Sequence, residues 1–334
     1  MQQLPCHGVS KYTLAAKLKP VPRLFYCDHH PIPLPPGHKF PMAKYALLRD
    51  LLAADGYFRM EAAPFAAREV IELAHDADYV RGFLTGTLDP RVMRRIGFPW
   101  SEGLVRRSLA SLGGTLGATT DALATGFGGN LAGGTHHAFR GEGSGFCVFN
   151  DIAVAIQWFR AQGRIRRAAV VDLDVHQGDG TALIFQDDPG VLTLSLHGRH
   201  NFPFRKQQSR IDVDLPDGTG DAEYLAALDA VLPQVVAFAP EIVFYQSGVD
   251  PLEGDKLGRL SLTHAGLIDR DRRVMALAKS NGIPLVVTLG GGYAEPVSRT
   301  ALAHANTFRT AAEIYGVANG TQTSIAAGPR FAQA

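Results

Sequence analysis

Four short apolar runs along the chain predict buried strands of a parallel sheet. They are residues 168–173, 191–196, 242–246 and 284–289, each rich in Val, Ile, Leu or Phe and without polar alternation. Strands that are covered on both faces have this pattern. Segments with helical spacing of apolar residues lie between or beside these runs. The pattern therefore predicts an α/β fold with a largely parallel, multi-stranded sheet flanked by helices.

The same pattern predicts where helices and irregular segments lie. The predicted helices are residues 42–54, 151–160, 221–238 and 265–279, with Thr263 as the N-cap of the last. Residues 20–41 are rich in proline and predict an ordered irregular loop. No repeat or linker divides the chain, so we expect one domain over residues 1–315. Residues 316–334 are small and polar and predict a loose tail.

Composition narrows the class of protein. Of the 334 residues, 46% are hydrophobic and 19% are charged, which is typical of a soluble globular protein. The net charge of +1 predicts neither nucleic acid nor an anionic membrane surface as a partner. No apolar run approaches the ~20 residues of a membrane span, and the N-terminus lacks a secretory pattern. The three cysteines are few and odd in number, which argues against a disulfide framework. We therefore expect a cytoplasmic protein.

The run DLDVHQGDG at 172–180 follows the first predicted strand. Period-two alternation would place Asp172, Asp174 and His176 on one side of the strand end. A loop cap or a core histidine would explain each residue alone, but three such groups on a buried strand need a cation or hydrogen-bond partners. Asp250 follows the strand at 242–246, at the same edge of the sheet. Two Asp and one His with an open position are typical of a catalytic zinc site, although iron, cobalt or manganese would also fit.

A tandem histidine, His136-His137, stands behind a glycine pair in GGTHHA. Alone, it could be a surface loop. Beside a metal site, the two imidazoles are candidates for general base and general acid. Such histidines need carboxylate partners to set the tautomer, and Asp172 and Asp179 can serve.

The sequence GGGY at 290–293 follows the last predicted strand. A glycine-rich turn in this position could bind phosphate, but neither a following Lys-Ser/Thr nor a GxGxxG spacing is present. The glycines instead allow the backbone to approach a substrate. Tyr293 is then a candidate donor to a developing oxyanion.

Together these motifs resemble those of the histone deacetylase family of zinc amidohydrolases. The matching stretches are GGTHHA at 133–138, GSGFCVFND at 143–151, DLDVHQGDG at 172–180, SLH at 195–197, SGVDPLEGDKLGRLSL at 247–262 and GGGY at 290–293. They occur in order over roughly residues 20–315. The short chain, the Gly-Phe-Cys of 145–147 and the EGD-x-LG segment are most similar to class IV deacetylases and their bacterial relatives.

The resemblance implies a role for each matching residue. One Zn²⁺ per chain would be bound by Asp174, His176 and Asp250. The catalytic groups would be His136 with Asp172, His137 with Asp179, and Tyr293 as oxyanion donor. The tunnel for the acyl-lysine stem would be lined by Gly145, Phe146, Phe202, Leu257 and Gly291. A structural K⁺ would lie near Asp172, Asp174, His176, Ser195 and Leu196.

The predicted activity is hydrolysis of Nε-acyl-lysine in a protein or peptide by metal-activated water. Deacetylation of small acylated amines such as acetylpolyamines is the alternative, and it would need acidic residues at the tunnel mouth. A non-catalytic acyl-lysine binder would have lost a ligand, a histidine or the tyrosine, and all are present. Ureohydrolysis would need a second set of metal ligands. The acyl chain length, the native metal and the oligomeric state stay open.

Overall fold

The computed structural model describes residues 21–318, which contain one eight-stranded sheet. Every neighbouring pair of strands is parallel, in the order β2-β1-β3-β8-β7-β4-β5-β6. The strands are β1 Arg23–Tyr26, β2 Arg59–Ala62, β3 Phe127–Asn130, β4 Ala168–Asp172, β5 Val191–Gly198, β6 Ile211–Leu215, β7 Ile242–Gln246 and β8 Leu285–Thr288. The predicted fold class is confirmed.

Two layers of helices cover the sheet. The helices are α1 Ala43–Asp55, α2 Arg68–Ile71, α3 Ala77–Thr85, α4 Pro90–Ile96, α5 Glu102–Thr125, α6 Asp151–Ala161, α7 Asp179–Ile184, α8 Asp221–Ala237, α9 His264–Ser280 and α10 Val297–Tyr315. Helices α1, α10, α9 and α8 pack in sequence against one another, and α5, α6 and α7 form the other layer with α2. Because both faces are covered, every residue of β4, β5, β7 and β8 is buried.

The four predicted strands are β8, β7, β4 and β5, which are adjacent in the sheet, and the four predicted helices are α1, α6, α8 and α9. The side chain of Thr263 accepts a hydrogen bond from the backbone N–H of Gly266, so the predicted N-cap is also confirmed. The expectation of an irregular loop over residues 20–41 was wrong for Arg23–Tyr26, which form β1. These four residues lie between Pro22 and Pro31, and they are enough to pair with β2 and β3 near one edge of the sheet.

Neighbouring strand ends explain how distant segments meet. Asp172 at the end of β4 lies opposite Ser195 of β5 and Gln246 of β7. Because all strands run in one direction, the segments after β3, β8, β7 and β4 emerge side by side at one edge of the sheet. The described range holds no helix with the length and apolarity to cross a membrane. The domain limits and the tail stay predictions, since residues 1–20 and 319–334 lie outside the described range.

Candidate active site

Asp174, His176 and Asp250 converge at this edge of the sheet. Their ligand atoms lie within 4.8 Å of one another, and all three residues are buried. His176 Nδ1 is 2.9 Å from Asp174 Oδ1 and 3.1 Å from Asp250 Oδ2. The structure thus brings together the three residues predicted as metal ligands.

The convergence does not arise from strand alternation, and that part of the prediction was wrong. Strand β4 ends at Asp172, so Asp174 and His176 lie in the loop beyond it. Asp172 Oδ1 accepts the backbone N–H of Asp174 at 3.1 Å, and Asp174 Oδ1 accepts that of His176 at 3.0 Å. Two successive aspartate turns of this kind fold the loop back on itself. Asp172 therefore faces a different partner from the other two.

The donor atoms of this triad fit a divalent metal ion. Apart from the 3.1 Å contact with His176 Nδ1, the buried Asp250 Oδ2 has no polar partner, and so sparse a surrounding is unfavourable for a buried carboxylate oxygen. Burial lowers the pKa of His176, but hydrogen bonds to Asp174 and Asp250 outweigh it and raise the pKa to about 10. Burial and the charge of Asp174 raise the pKa of Asp250 to about 7. The carboxylates thus require positive charge at this point, and two oxygens with one imidazole nitrogen suit zinc.

The tandem histidines each bind a carboxylate. His136 Nδ1 is 2.7 Å from Asp172 Oδ2, and His137 Nδ1 is 2.6 Å from Asp179 Oδ1. Both pairs match the predicted partners, and the two imidazole rings lie 4.1 Å apart. Since both Nδ1 atoms are engaged, Nε2 is the nitrogen of each ring left for chemistry; for His136 it lies 4.0 Å from Asp174 Oδ1.

The two histidines differ in protonation. Burial lowers the pKa of His136, but the charges of Asp172 and Asp174 outweigh it and raise that pKa to about 9. Burial and the neighbouring His136 lower the pKa of His137 to about 4. The aspartates thus favour the protonated form of His136, while burial and the neighbouring ring favour the neutral form of His137.

Asp151 holds the histidine loop in place, a role that the sequence did not reveal. Its carboxylate accepts hydrogen bonds from the backbone N–H groups of Gly134 and Thr135 and from the hydroxyls of Thr135 and Thr115, at 2.6–3.1 Å. Its position at the end of the motif GSGFCVFND was the available signal. A carboxylate with several N–H and O–H donors fixes the loop that carries His136.

The glycine-rich segment after β8 packs directly on the acidic triad. The N–H of Gly291 donates to Asp174 Oδ2 at 2.6 Å, and a Cβ on Gly291 would lie 1.9 Å from Asp250 Oδ2. Only glycine can therefore occupy this position. The N–H of Tyr293 donates to Asp255 Oδ2 at 2.5 Å, which fixes the backbone beneath the phenol ring.

Two buried cations on helices support these loops, and neither was predicted. Arg270 of α9 donates to the backbone oxygens of Leu173 and Gly248, which precede the ligands supplied after β4 and β7. Lys44 of α1 is 1% exposed and donates to the backbone oxygen of Gly290 at 3.2 Å. The ligand-bearing loops are thus held from behind by charged groups of the covering helices.

A cavity of about 840 Å³ opens from the surface onto these groups. All five residues predicted for the tunnel line it: Gly145, Phe146, Phe202, Leu257 and Gly291. The Phe202 ring lies 4.9 Å from the His137 ring, edge to face. Phe146 lies 6.3 Å from Tyr293. The predicted contacts of these residues with a substrate stay predictions.

The residues expected at the monovalent cation site include Ser195 and Leu196, which lie on β5 beside the end of β4. Ser195 lies opposite Asp172 in the β4–β5 register, and Leu196 is fully buried beside it. The Ser195 hydroxyl lies 3.0 Å from Nδ1 of His197. Binding of K⁺ at this point stays a prediction.

Comparison with known proteins agrees with this geometry. The family model for the histone deacetylase domain matches residues 38–308. An uncharacterized protein of Picosynechococcus sp. is 45% identical over 294 residues, which cover 86% of this chain and 98% of the relative. The crystal structure of a histone deacetylase homolog complexed with SAHA has a TM-score of 0.74 at 26% identity, covering 90% of this chain and 85% of the other.

A further solved structure shares the fold. The acetylpolyamine aminohydrolase from Burkholderia pseudomallei has a TM-score of 0.72 at 21% identity, covering 88% of this chain and 99% of the other. A parallel α/β sheet with a buried acid–imidazole triad and two aspartate-paired histidines at its strand ends defines a deacetylase-type hydrolase. This chain belongs to the histone deacetylase family. The resemblance inferred from its motifs is confirmed.

Proposed function

We propose that this protein is a zinc-dependent hydrolase that removes acyl groups from Nε-acyl-lysine in proteins or peptides. The observation that carries the proposal is the meeting of the acidic triad, both histidine–aspartate pairs and Tyr293 at one cavity. No group that such a hydrolysis requires is missing from this set. A non-catalytic binder would not need all of them.

A zinc ion bound by Asp174, His176 and Asp250 would polarise the amide carbonyl and lower the pKa of water for attack. His137 accepts the proton of the attacking water at Nε2, since its Nδ1–H is directed to Asp179. The same ring then donates that proton to the lysine amine on the tunnel side, where it contacts Phe202. His136, whose protonated form the Asp172 carboxylate favours, stabilises negative charge on the acyl oxygen together with the Tyr293 hydroxyl.

The cavity mouth favours an acylated lysine over a polyamine. The exposed residues that line it include Lys39, Arg95, Lys256 and Arg259. The last three compensate the charges of nearby carboxylates outside the lining, namely Glu142, Glu295 and Asp217. Within the described range, Asp174 is the one carboxylate among the lining residues. A polycationic substrate would need acidic groups at the mouth, whereas a peptide places only its uncharged acylated side chain in the tunnel. Phe204, 88% exposed at this rim, offers a surface for the peptide backbone.

Two finer assignments belong to the same proposal. The Gly-Phe-Cys of 145–147 and the EGD-x-LG segment support a class IV-like enzyme with one zinc and a K⁺ near Asp172. The two cysteines of the described range, Cys27 and Cys147, are free and buried, which suits a reducing cytoplasm.

The test is a panel of acyl-lysine peptides and acetylpolyamines, assayed with zinc and with a chelator. We expect peptide hydrolysis that zinc restores after chelation, and loss of both zinc and activity in Asp174→Ala. Tyr293→Phe keeps zinc but raises the barrier by ~2.7–4 kcal/mol, about 10²–10³ in kcat. A preference for acetylpolyamines would contradict the lysine assignment, and full activity of the zinc-free variant would refute the metal mechanism. Inactivity with zinc bound would favour a binder.

A further inference from the structure

Asn201 connects two walls of the catalytic cavity. It lies in the loop between β5 and β6, is 3% exposed and lines the cavity next to Phe202. Its side-chain amide donates to the backbone oxygen of Leu257 at 2.6 Å, and its Oδ1 accepts the backbone N–H of Arg259 at 3.2 Å. Leu257 lines the cavity from the loop after β7, 56 positions further along the chain. One buried side chain thus bridges two loops that are distant in sequence.

The loop that carries Asn201 is held tightly around Phe202. The half-buried Lys206 donates from Nζ to the backbone oxygens of Asn201 and Pro203, at 2.6 and 2.7 Å. These two residues stand on either side of Phe202. The backbone N–H of Asn201 donates to the oxygen of Gly198 at 3.0 Å, and a Cβ on Gly198 would lie 2.2 Å from Asn201 Oδ1. Phe202 therefore cannot shift unless Asn201 shifts with it.

The opposite end of the bridge leads to the catalytic tyrosine. The N–H groups of Leu257 and Gly258 donate to Asp255 Oδ1 at 2.8 and 2.9 Å. The other oxygen of Asp255 accepts the N–H of Tyr293 at 2.5 Å. Hydrogen bonds thus run from Asn201 through Leu257 and Asp255 to Tyr293. The two walls and the tyrosine form one connected frame, and connected networks of this kind are rigid.

The bridge bears directly on the width of the tunnel. Hydrogen bonds are directional and vary little in length, so two of them fix the separation of the loops they join, whereas apolar contacts alone allow sliding. The space beside the bridge is narrow, because a Cβ on Gly145 would lie 3.2 Å from the Phe202 ring. The same ring lies 4.9 Å from that of His137. An outward shift of Phe202 would therefore widen the tunnel next to a proposed catalytic group.

We propose that Asn201 is a positioning residue that determines specificity by fixing the distance between Phe202 and Leu257. The tunnel then admits an unbranched stem and rejects one that carries a branch. This inference rests on the proposed function, which makes the stem that of an acyl-lysine. Asn201 acts through the two walls rather than on the reacting amide. Where a pocket fits closely, one extra methyl group changes kcat/KM by about 10- to 200-fold.

The first measurement compares two peptides that differ by one methyl group on the stem. The zinc-loaded protein is assayed with an acetyl-lysine peptide and with its acetyl-5-methyl-lysine counterpart. We expect the wild type to favour the unbranched peptide by about 10- to 100-fold in kcat/KM. Asn201→Ala should reduce this ratio about 10-fold, because both hydrogen bonds between the walls are lost. Asn281→Ala, which removes an exposed amide bonded within the end of α9, should keep the wild-type ratio.

The ratio separates positioning from a general structural role. Both peptides are assayed on one preparation, so a smaller folded fraction lowers both rates equally and leaves their ratio unchanged. An unchanged ratio in folded Asn201→Ala would therefore overturn the proposal. A wild type that hydrolyses both peptides equally well would overturn it too, since the tunnel would then not select by width.

The second measurement needs neither zinc nor turnover. Hydrogen–deuterium exchange of the metal-free protein is followed by mass spectrometry over residues 198–206 and 255–260. Asn201→Ala should speed exchange in both segments, since each loses its partner in the other. Lys206→Met is the matched control: its lost bonds lie within one wall, so exchange should rise in 198–206 alone. This result stands even if no acyl peptide is hydrolysed and the proposed function fails.

Unchanged exchange of residues 255–260 in Asn201→Ala would show that the walls are independent and would overturn the bridge. Where Asn201→Ala does not fold, Asn201→Asp takes its place because it has the same shape. It keeps the acceptor for the N–H of Arg259 but sets an oxygen against the oxygen of Leu257. The same rise in exchange at 255–260 and the same fall in the peptide ratio are expected, and their absence would overturn the proposal in the same way.

Discussion

Replacing Arg270 by methionine tests how the two loops that carry the proposed metal ligands are held together. Arg270 Nη1 lies 3.2 Å from the oxygen of Leu173 and 2.6 Å from that of Gly248. These carbonyls belong to the loops that supply the ligands after β4 and β7. The guanidinium is fully buried and pairs with Asp271, whose carboxylate also accepts the Tyr245 hydroxyl.

The expected loss of stability depends on how well the buried charge of Asp271 is compensated once Arg270 is removed. Removing one partner of a buried ion pair destabilises a protein by about 3–5 kcal/mol, because the other charge stays buried. Asp271 keeps its hydroxyl donors, Tyr245 and Thr307, which compensate part of that charge. We therefore expect Arg270→Met to lower the free energy of unfolding by about 3 kcal/mol, at the lower end of this range. Zinc affinity should fall about 10- to 100-fold because the ligand loops lose their support.

Denaturant unfolding of the metal-free protein measures the first effect as a shift in midpoint at constant slope. Competition with a chromogenic chelator measures the second. Arg272→Met is the matched control two positions along α9, because the Arg272 side chain is 42% exposed and its ion pairs with Asp269 and Glu313 contribute about 0–1 kcal/mol. A destabilisation of Arg270→Met below about 1 kcal/mol, equal to the control, would refute this account.

Two further predictions concern the surroundings of the site. Gly291→Ala should abolish zinc binding in metal analysis, since its Cβ would lie 1.9 Å from Asp250 Oδ2; Gly220→Ala, whose Cβ would be 4.0 Å from the nearest atom, should bind zinc normally. Equal zinc content in both variants would contradict the clash. Burial lowers the pKa of His75 to about 4 from 6.5, so its neutral form stabilises the fold above pH 6.5, and that stability is lost as pH falls towards 4. Relative to His75→Gln, the wild-type unfolding free energy should therefore drop by about 3 kcal/mol between pH 7 and 4; parallel pH curves would exclude this coupling.

The four adjacent strands β8, β7, β4 and β5 could be predicted from sequence, and the strands on either side of them could not. Strands β4, β5, β7 and β8 have both faces buried, so apolar residues fill most of their positions. Strand β3, FGGN, looks like a turn because of its two glycines. A Cβ on Gly128 would lie 1.9 Å from the backbone oxygen of Ala118 in α5. The glycines are there because a helix packs on the strand backbone, which only the tertiary structure shows.

In the candidate site too, local sequence indicates some residues and not others. Asp174, His176 and Tyr293 follow strands as rare polar groups after apolar runs, so local sequence indicates them. Arg270 stands in the run DRDRR of α9, where a charged stretch ordinarily predicts a solvated helix face. It is buried because α9 covers the sheet beside β7 and β4. Nothing within its own segment distinguishes Arg270 from the half-exposed Arg272.

The order of the strands explains why local sequence indicates the proposed ligands but not the residues that support them. Strands β4 and β7 are neighbours in the sheet, yet about 70 residues separate them along the chain. The loops after β4 and β7 could share a metal only because the sheet sets the two strands side by side. The same arrangement brings the backbone oxygens of Leu173 and Gly248 together, and both accept a hydrogen bond from Arg270 of a third segment. A local motif therefore indicates which side chains are the proposed metal ligands. The groups that position those side chains depend on strand order, and for Arg270 and Lys44 that information is absent from the motifs.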